Sequence, residues 1–269
     1  MKRNMSFVNE YCINFDCILQ AHQRIKKFAN QTPVLTSTTI DTILSSSPST
    51  TKASDHNRHQ QQHTEKQFFF KVEALQRTGS FKFRGALNAV LSIVEQQQIQ
   101  VHVEQEDNTI VKPQTSTSIV THSSGNHAAA IACAADIASI NYASSSCLKI
   151  QSTIVMPRNV TSIKKRAVEE YHGDIILVDN TNEARESMAT RITQERPGAY
   201  FVHPSEDPRV IAGQGTVCVE FISQVREMLI DSDLDVVIIP VGGGGLASGN
   251  TIALRALLGN KIKVCRPYF

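Results

Sequence analysis

Val236-Val-Ile-Ile-Pro-Val-Gly-Gly-Gly-Gly-Leu-Ala-Ser-Gly249 is an apolar run that enters four consecutive glycines and leaves them in an apolar helical pattern over residues 251–258. Strand, glycine loop and helix in this order form the repeating unit of an α/β fold, in which ligands bind at the carboxyl ends of parallel strands. Glycines let backbone N–H groups approach an anion, and the N-terminus of the following helix adds favourable dipole charge. The segment therefore has the shape of a phosphate cradle, although a glycine-rich turn that only packs helix on strand would read the same. It is no P-loop, because no Gly-Lys-Ser/Thr follows. Gly242, Gly244 and Ala247 satisfy the loose dinucleotide pattern, but that reading needs an acid about 20 residues further on, and no Asp or Glu follows Asp235. A nicotinamide-binding dehydrogenase is disfavoured on this ground.

Upstream, Lys71-Val-Glu-Ala-Leu-Gln-Arg-Thr-Gly-Ser-Phe-Lys-Phe-Arg-Gly-Ala86 sets Lys82 behind a Thr-Gly-Ser turn and between two phenylalanines. Partial desolvation disfavours an ammonium, and a neutral amine is what a Schiff base with an aldehyde cofactor requires. A surface lysine at a helix start is the plainer reading. Between the two segments, Val120-Thr-His-Ser-Ser-Gly-Asn-His127 precedes the small-residue run Ala128-Ala-Ala-Ile-Ala-Cys-Ala-Ala135. Ser and Asn there can cap a helix, and the same groups at a helix N-terminus can hold a carboxylate. A desolvated lysine, a carboxylate loop and a phosphate loop are together the parts of a pyridoxal phosphate site.

The rest of the chain alternates strands and helices, as a parallel α/β sheet requires. Strands are predicted at 153–156, 175–178, 200–203 and 261–264, and helices at 162–171, 183–194 and 213–230. Polar stretches interrupt the pattern. Residues 45–66 contain one apolar residue, Ala53, and predict a disordered loop. The His56, His59 and His63 spacing inside it could bind metal on a helix, but composition favours an unstructured tract. Residues 95–117 and 141–151 are likewise expected to be surface loops.

At this point the chain resembles the fold-type II pyridoxal phosphate enzymes, and within them the serine racemase and serine/threonine dehydratase family. The resemblance rests on Thr78-Gly-Ser-Phe-Lys82, Ser123-Ser-Gly-Asn-His127 and Val241-Gly-Gly-Gly-Gly245. It also covers Thr32-Pro-Val-Leu35, Val155-Met-Pro157 with Lys164-Lys165, and His203-Pro204 leading to Val210-Ile-Ala-Gly-Gln-Gly-Thr216, all in the family's order. It implies an α/β fold of two open, twisted, mostly parallel sheets flanked by helices, with the cofactor in an interdomain cleft. Residues 118–206 would form the small domain, and 1–117 with 207–269 the large one. Lys82 would form the Schiff base and act as the base on one face of the substrate Cα, with Phe81 packed near the cofactor ring. Asn126 would donate to the cofactor's phenolate oxygen, while Ser123, Ser124, Gly125 and His127 shape the carboxylate pocket. Gly242, Gly243, Gly244, Gly245 and Leu246 would hold the phosphate through backbone amides. In the racemases the serine matching Ser124 serves the opposite face of Cα, where many dehydratases carry alanine. Serine racemisation and loss of the β-hydroxyl to give pyruvate and ammonia are thus both implied, with serine or threonine as substrate and a homodimer as the assembly.

Departures from the family pattern are also legible. Ala128-Ala129 stands where racemases commonly carry Gly-Gln, and the tail Cys265-Arg-Pro-Tyr-Phe269 does not resemble the expected Ala-Glu-Pro. The family's divalent-metal carboxylates (for Mg or Ca) are expected beyond Val264, so no metal ligand is assigned here. A truncated homologue that binds the cofactor without turning over substrate is the alternative expectation. Composition is consistent with a globular enzyme. The 269 residues are 41% hydrophobic, and 27 basic against 25 acidic residues give a net charge of +2, no basis for a nucleic-acid or membrane partner. Six cysteines show neither metal spacing nor a disulfide framework and read as reduced thiols. Met1-Lys-Arg-Asn-Met-Ser lacks an apolar signal core, which predicts a cytoplasmic protein.

Overall fold

Apolar runs that expose neither face to water set the central layer of the molecule. In the computed structural model, which describes residues 12–45, 66–106, 116–146, 149–229 and 233–267, the chain order is as follows. Helix α1 (Phe15–Ile25), strand β1 (Val34–Thr36), helix α2 (Thr38–Ser45) and strand β2 (Phe69–Lys71) lead to the long helix α3 (Lys82–Glu106). Then come β3 (Ser116–His122), α4 (Asn126–Ser146), β4 (Lys149–Pro157), α5 (Ser162–Glu169), β5 (Asp174–Val178), α6 (Asn182–Glu195) and β6 (Ala199–Phe201). Helix α7 (Pro208–Met228), β7 (Val236–Ile238), α8 (Gly245–Leu258) and β8 (Lys263–Cys265) complete it.

Strands β5-β4-β3-β6 form a four-stranded sheet, parallel throughout. Side chains alternate across a strand, so Ile119 and Ile154 face one side with α4 and α5, while Val120 and Val155 face the other with Ala189 and Ile192 of α6. Both faces are covered, which is why β4 reads as a nearly continuous apolar run, Ile154-Val-Met156. A second parallel pair, β7 with β8, packs with α1, α7 and α8 around Ile18, Ile222, Ala253 and Leu254. Strands β1 and β2 form an antiparallel pair.

Close helix crossings join these layers, and missing side chains make them possible. A Cβ on Gly213 of α7 would lie 2.6 Å from the Arg84 carbonyl oxygen of α3, and one on Gly249 of α8 would lie 2.3 Å from the Ile211 carbonyl oxygen of α7. Only glycine admits backbones at that distance.

Several expectations need correction. Residues 95–106 are not loop but the second half of α3; Gln and Glu are good helix formers, and no Gly or Pro interrupts the run before Pro113. Residues 141–146 likewise continue α4, with Asn141 bonding back to the Ile137 carbonyl at 2.7 Å, and β4 already begins at Lys149. Helix α8 starts at Gly245 instead of 251, and α7 at Pro208 instead of 213, because Pro at the first turn and an Asp207 cap on the Arg209 N–H open it earlier. The polar insertion, with His56, His59 and His63, falls at residues 46–65, outside the described residues, as does Cys147. Cys12, Cys17, Cys133, Cys218 and Cys265 are free thiols. Among the described residues no helix is long and apolar enough to cross a membrane.

Candidate active site

Lys82 owes its position to the turn before it. Thr78 and Gly79 both take left-handed backbone, φ 62° and 74°, and the chain then extends through Ser80 into α3. Left-handed backbone is costly for a β-branched residue, and such strain is typically stored next to function. Phe83 is fully buried, while Phe81 is half-buried with its ring centroid 5.5 Å from the Lys82 Nζ. The ammonium donates to the Pro204 carbonyl oxygen at 2.7 Å. Burial pushes its pKa below the ordinary lysine range, which favours the neutral amine.

Two residues on, Arg84 ties this helix start to the rest of the molecule. Its guanidinium, 1% exposed, donates to Glu73 at 2.8 Å through Nε and Nη2, and to Glu220 at 3.0 Å through Nη1 and Nη2. Lys71 also donates to Glu220, and to Gln224 and the Thr32 carbonyl oxygen at 2.6 Å. Burial alone would raise the Glu220 carboxyl, but Arg84 and Lys71 outweigh it and hold Glu220 below the usual carboxylate range.

The glycine loop packs against Ser205, the neighbour of Pro204. Gly244, at φ 85°, caps α8 with no side-chain acceptor, so no side chain of the cap occupies the N–H groups of the first turn. A Cβ on Gly243 would fall 2.5 Å from the Ser205 Oγ, and one on Gly245 2.7 Å from the Ser205 carbonyl oxygen. Gly242 and Gly244 face open space, with nothing within 4 Å of the Cβ position, and Leu246 is packed against the α7/α8 core. Residues Pro204 and Ser205 thus touch both Lys82 and the glycine loop.

The serine loop closes the third side. The Ser123 hydroxyl accepts the Gly125 N–H at 3.2 Å, so it serves as a local cap, while Ser124 and Gly125 are half-buried and Asn126 opens α4 exposed. His127 is 2% exposed with no hydrogen bond to either ring nitrogen. Burial, with the Lys82 charge adding to it and the Val202 carbonyl opposing, lowers its pKa to about 3, so the ring is neutral. The rings of His122, Phe201 and His203 cluster beside it, His122 stacked on Phe201 at 5.6 Å.

These residues fit pyridoxal phosphate: a desolvated amine, an uncapped glycine-lined helix N-terminus, and unpartnered buried polar atoms in Thr78, Ser80 and His127. They offer a divalent metal nothing comparable. Among the described residues no group of three or more His, Cys, Asp or Glu could hold one. Two site features escaped sequence reasoning. His203-Pro204 was legible as a motif but carried no role, and the Glu73, Arg84 and Glu220 cluster joins residues too far apart in sequence to associate.

The pyridoxal-phosphate dependent enzyme family matches residues 50–266. The chain is similar to serine racemase of Homo sapiens, 36% identical over 248 residues, which are 92% of this chain and 58% of that protein. The chain therefore spans under two thirds of that relative's length. Among solved structures it is similar to maize serine racemase (TM-score 0.71, 33% identity, 95% of this chain and 61% of that one). It is also similar to a T.th. threonine deaminase (TM-score 0.69, 29% identity, 94% and 64%). The fold is that of the fold-type II α/β enzymes. On sequence, fold and site geometry together, the chain belongs to the pyridoxal-phosphate dependent enzyme family.

Proposed function

We propose that the chain carries the active site of a serine racemase and serine/threonine dehydratase. The observation that carries this is the contact set of Pro204 and Ser205, which bring the desolvated Lys82 amine and the uncapped glycine loop to the two sides of one turn. When bound, pyridoxal phosphate supplies the electron sink that makes the Cα proton of an amino acid removable. Lys82 would hold the cofactor through its neutral amine and would take that proton on one face. Ser124, in the loop before α4, would serve the opposite face and return a proton there, which would invert the centre. Loss of the β-hydroxyl instead converts serine to pyruvate and ammonia, and both outcomes begin with the same proton removal. The backbone amides of Gly242, Gly243, Gly244, Gly245 and Leu246 would hold the phosphate, with Phe81 beside the ring. Asn126 would donate to the phenolate oxygen, while Ser123, Gly125 and the neutral His127 would shape the carboxylate pocket.

Residues 118–206 are inferred to be the small domain, supported by the four-stranded sheet lying almost wholly within them. A homodimer and a divalent cation belong to this reading through family resemblance, and a cytoplasmic location is the default that accompanies it. A second reading, a homologue that binds cofactor without turnover, is favoured by Ile238 and Val241 being 61% and 44% exposed around the glycine loop.

The test is the absorption spectrum of the purified chain with pyridoxal phosphate, beside Lys82→Ala, before and after L-serine. A cofactor band that requires Lys82 and shifts with L-serine is expected, with D-serine and pyruvate as products. A band without products supports the second reading, and spectra of free cofactor in both proteins refute the site.

A further inference from the structure

The segment between β6 and α7, Val202-His203-Pro204-Ser205-Glu206-Asp207, is the one that meets both halves of the site. Pro204 lends its carbonyl to Lys82 at 2.7 Å, and Ser205 lies where a Cβ on Gly243 or Gly245 would fall, 2.5 and 2.7 Å from its atoms. An irregular segment holds such a shape only if something satisfies its backbone. His203 does so. Its Nδ1 accepts the Glu206 N–H at 2.9 Å and the Ser205 N–H at 3.3 Å.

Both partners of Nδ1 are donors, so that nitrogen is unprotonated and the ring proton sits on Nε2. Nε2 faces the Glu206 carboxylate at 3.9 Å, which suits that tautomer. The ring plane is set by its neighbours, with His122 edge-on at 5.6 Å and Phe201 at 6.2 Å. An acceptor on a short side chain bonding the amides two and three residues ahead is the geometry that Asn or Asp provides in an Asx turn. Asn carries its amide oxygen where His carries Nδ1; Gln carries it one bond too far.

We propose that His203 is a positioning residue, whose unprotonated Nδ1 shapes the 203–206 turn so that Pro204 and Ser205 hold the Lys82 amine against the glycine loop. The inference rests on the enzyme reading above, since it concerns the same cofactor site.

The test uses the full chain and two readouts: affinity for pyridoxal phosphate by spectroscopic titration, and cofactor-free amide hydrogen exchange at Ser205 and Glu206. His203→Ala is expected to lose about tenfold in affinity, the equivalent of one to two neutral hydrogen bonds, and to lose protection at both amides. His203→Asn restores both readouts, whereas His203→Gln behaves like the alanine variant. If His203→Ala does not fold, the Asn and Gln pair decides by itself. Asn and Gln variants that behave alike, or lost protection with unchanged affinity, overturn the proposal. A wild type that takes up no cofactor overturns the enzyme reading and this inference together, whereas failure of the variant pattern in a cofactor-binding wild type overturns this inference alone.

Discussion

His127 concentrates the site's electrostatics in one side chain. Its imidazole is wholly buried and its pKa is about 3 in the fold, against about 6.5 for an exposed histidine. Below pH ~6.5 the unfolded chain therefore takes up a proton that the folded chain refuses. Its contribution to stability is full above pH ~6.5 and drains as the pH falls toward ~3, at a limiting slope of about 1.4 kcal/mol per unit. His22 and His122 are also lowered by burial and add to the acid sensitivity, so the difference between proteins is the informative quantity. Urea midpoints from about pH 8 to pH 4 should fall more steeply for wild type than for His127→Leu; parallel profiles would refute the burial. The Ser-Ser-Gly-Asn-His run was legible as a loop at a helix start, but nothing in its letters says that the imidazole points inward. That depends on α3 and the 202–203 segment closing over it.

At the scale of elements, glycine placement decides how closely helices approach. Gly249→Ala would force a methyl onto the backbone of α7, 2.3 Å from the Ile211 carbonyl oxygen and 2.7 Å from the Gly215 nitrogen. It should destabilise the protein by about 1–3 kcal/mol, read as a lowered urea midpoint. Gly125→Ala meets nothing within 4 Å and should move the midpoint little, although both glycines lie in motif segments. Equal effects would contradict the crossing geometry. The element pattern itself was largely legible, since β4, β5, α5 and α6 contain or adjoin the predicted ranges. The misses share a cause. Residues 95–106 and 141–146 lack apolar periodicity, yet helix propagation is cooperative, and a helix anchored by buried Leu87, Leu91 and Val94 extends through polar helix formers beyond them.

For the whole molecule, the buried charges of Lys71, Glu73, Arg84 and Glu220 tie β2, the start of α3 and the middle of α7 together. Thr32 joins them from the chain ahead of β1, donating its N–H to Glu220 at 3.0 Å and its hydroxyl to Glu73 at 2.7 Å. Two cations balance two carboxylates, so removing one charge leaves another uncompensated in the interior. Glu220→Gln should cost about 3–5 kcal/mol in chemical denaturation. Pairing it with Arg84→Met should recover part of the loss, because that variant removes the stranded guanidinium. A double variant as unstable as the sum of the singles would show that the groups act independently. The same cluster sets where Lys82 begins α3, two residues before Arg84.

The sequence alone determined the alternation of strand and helix, the three loops proposed to carry the chemistry, and the lysine proposed to react. These depend on local rules: apolar periodicity, glycine at anion sites and residue types at helix starts. Only the tertiary structure decided that Pro204 and Ser205 join the lysine to the glycine loop, that His127 is buried and neutral, and that a four-charge cluster stands behind the site. Each of those is a contact between residues remote in sequence. Its strength is set by desolvation, which no single segment experiences until the layers close around it.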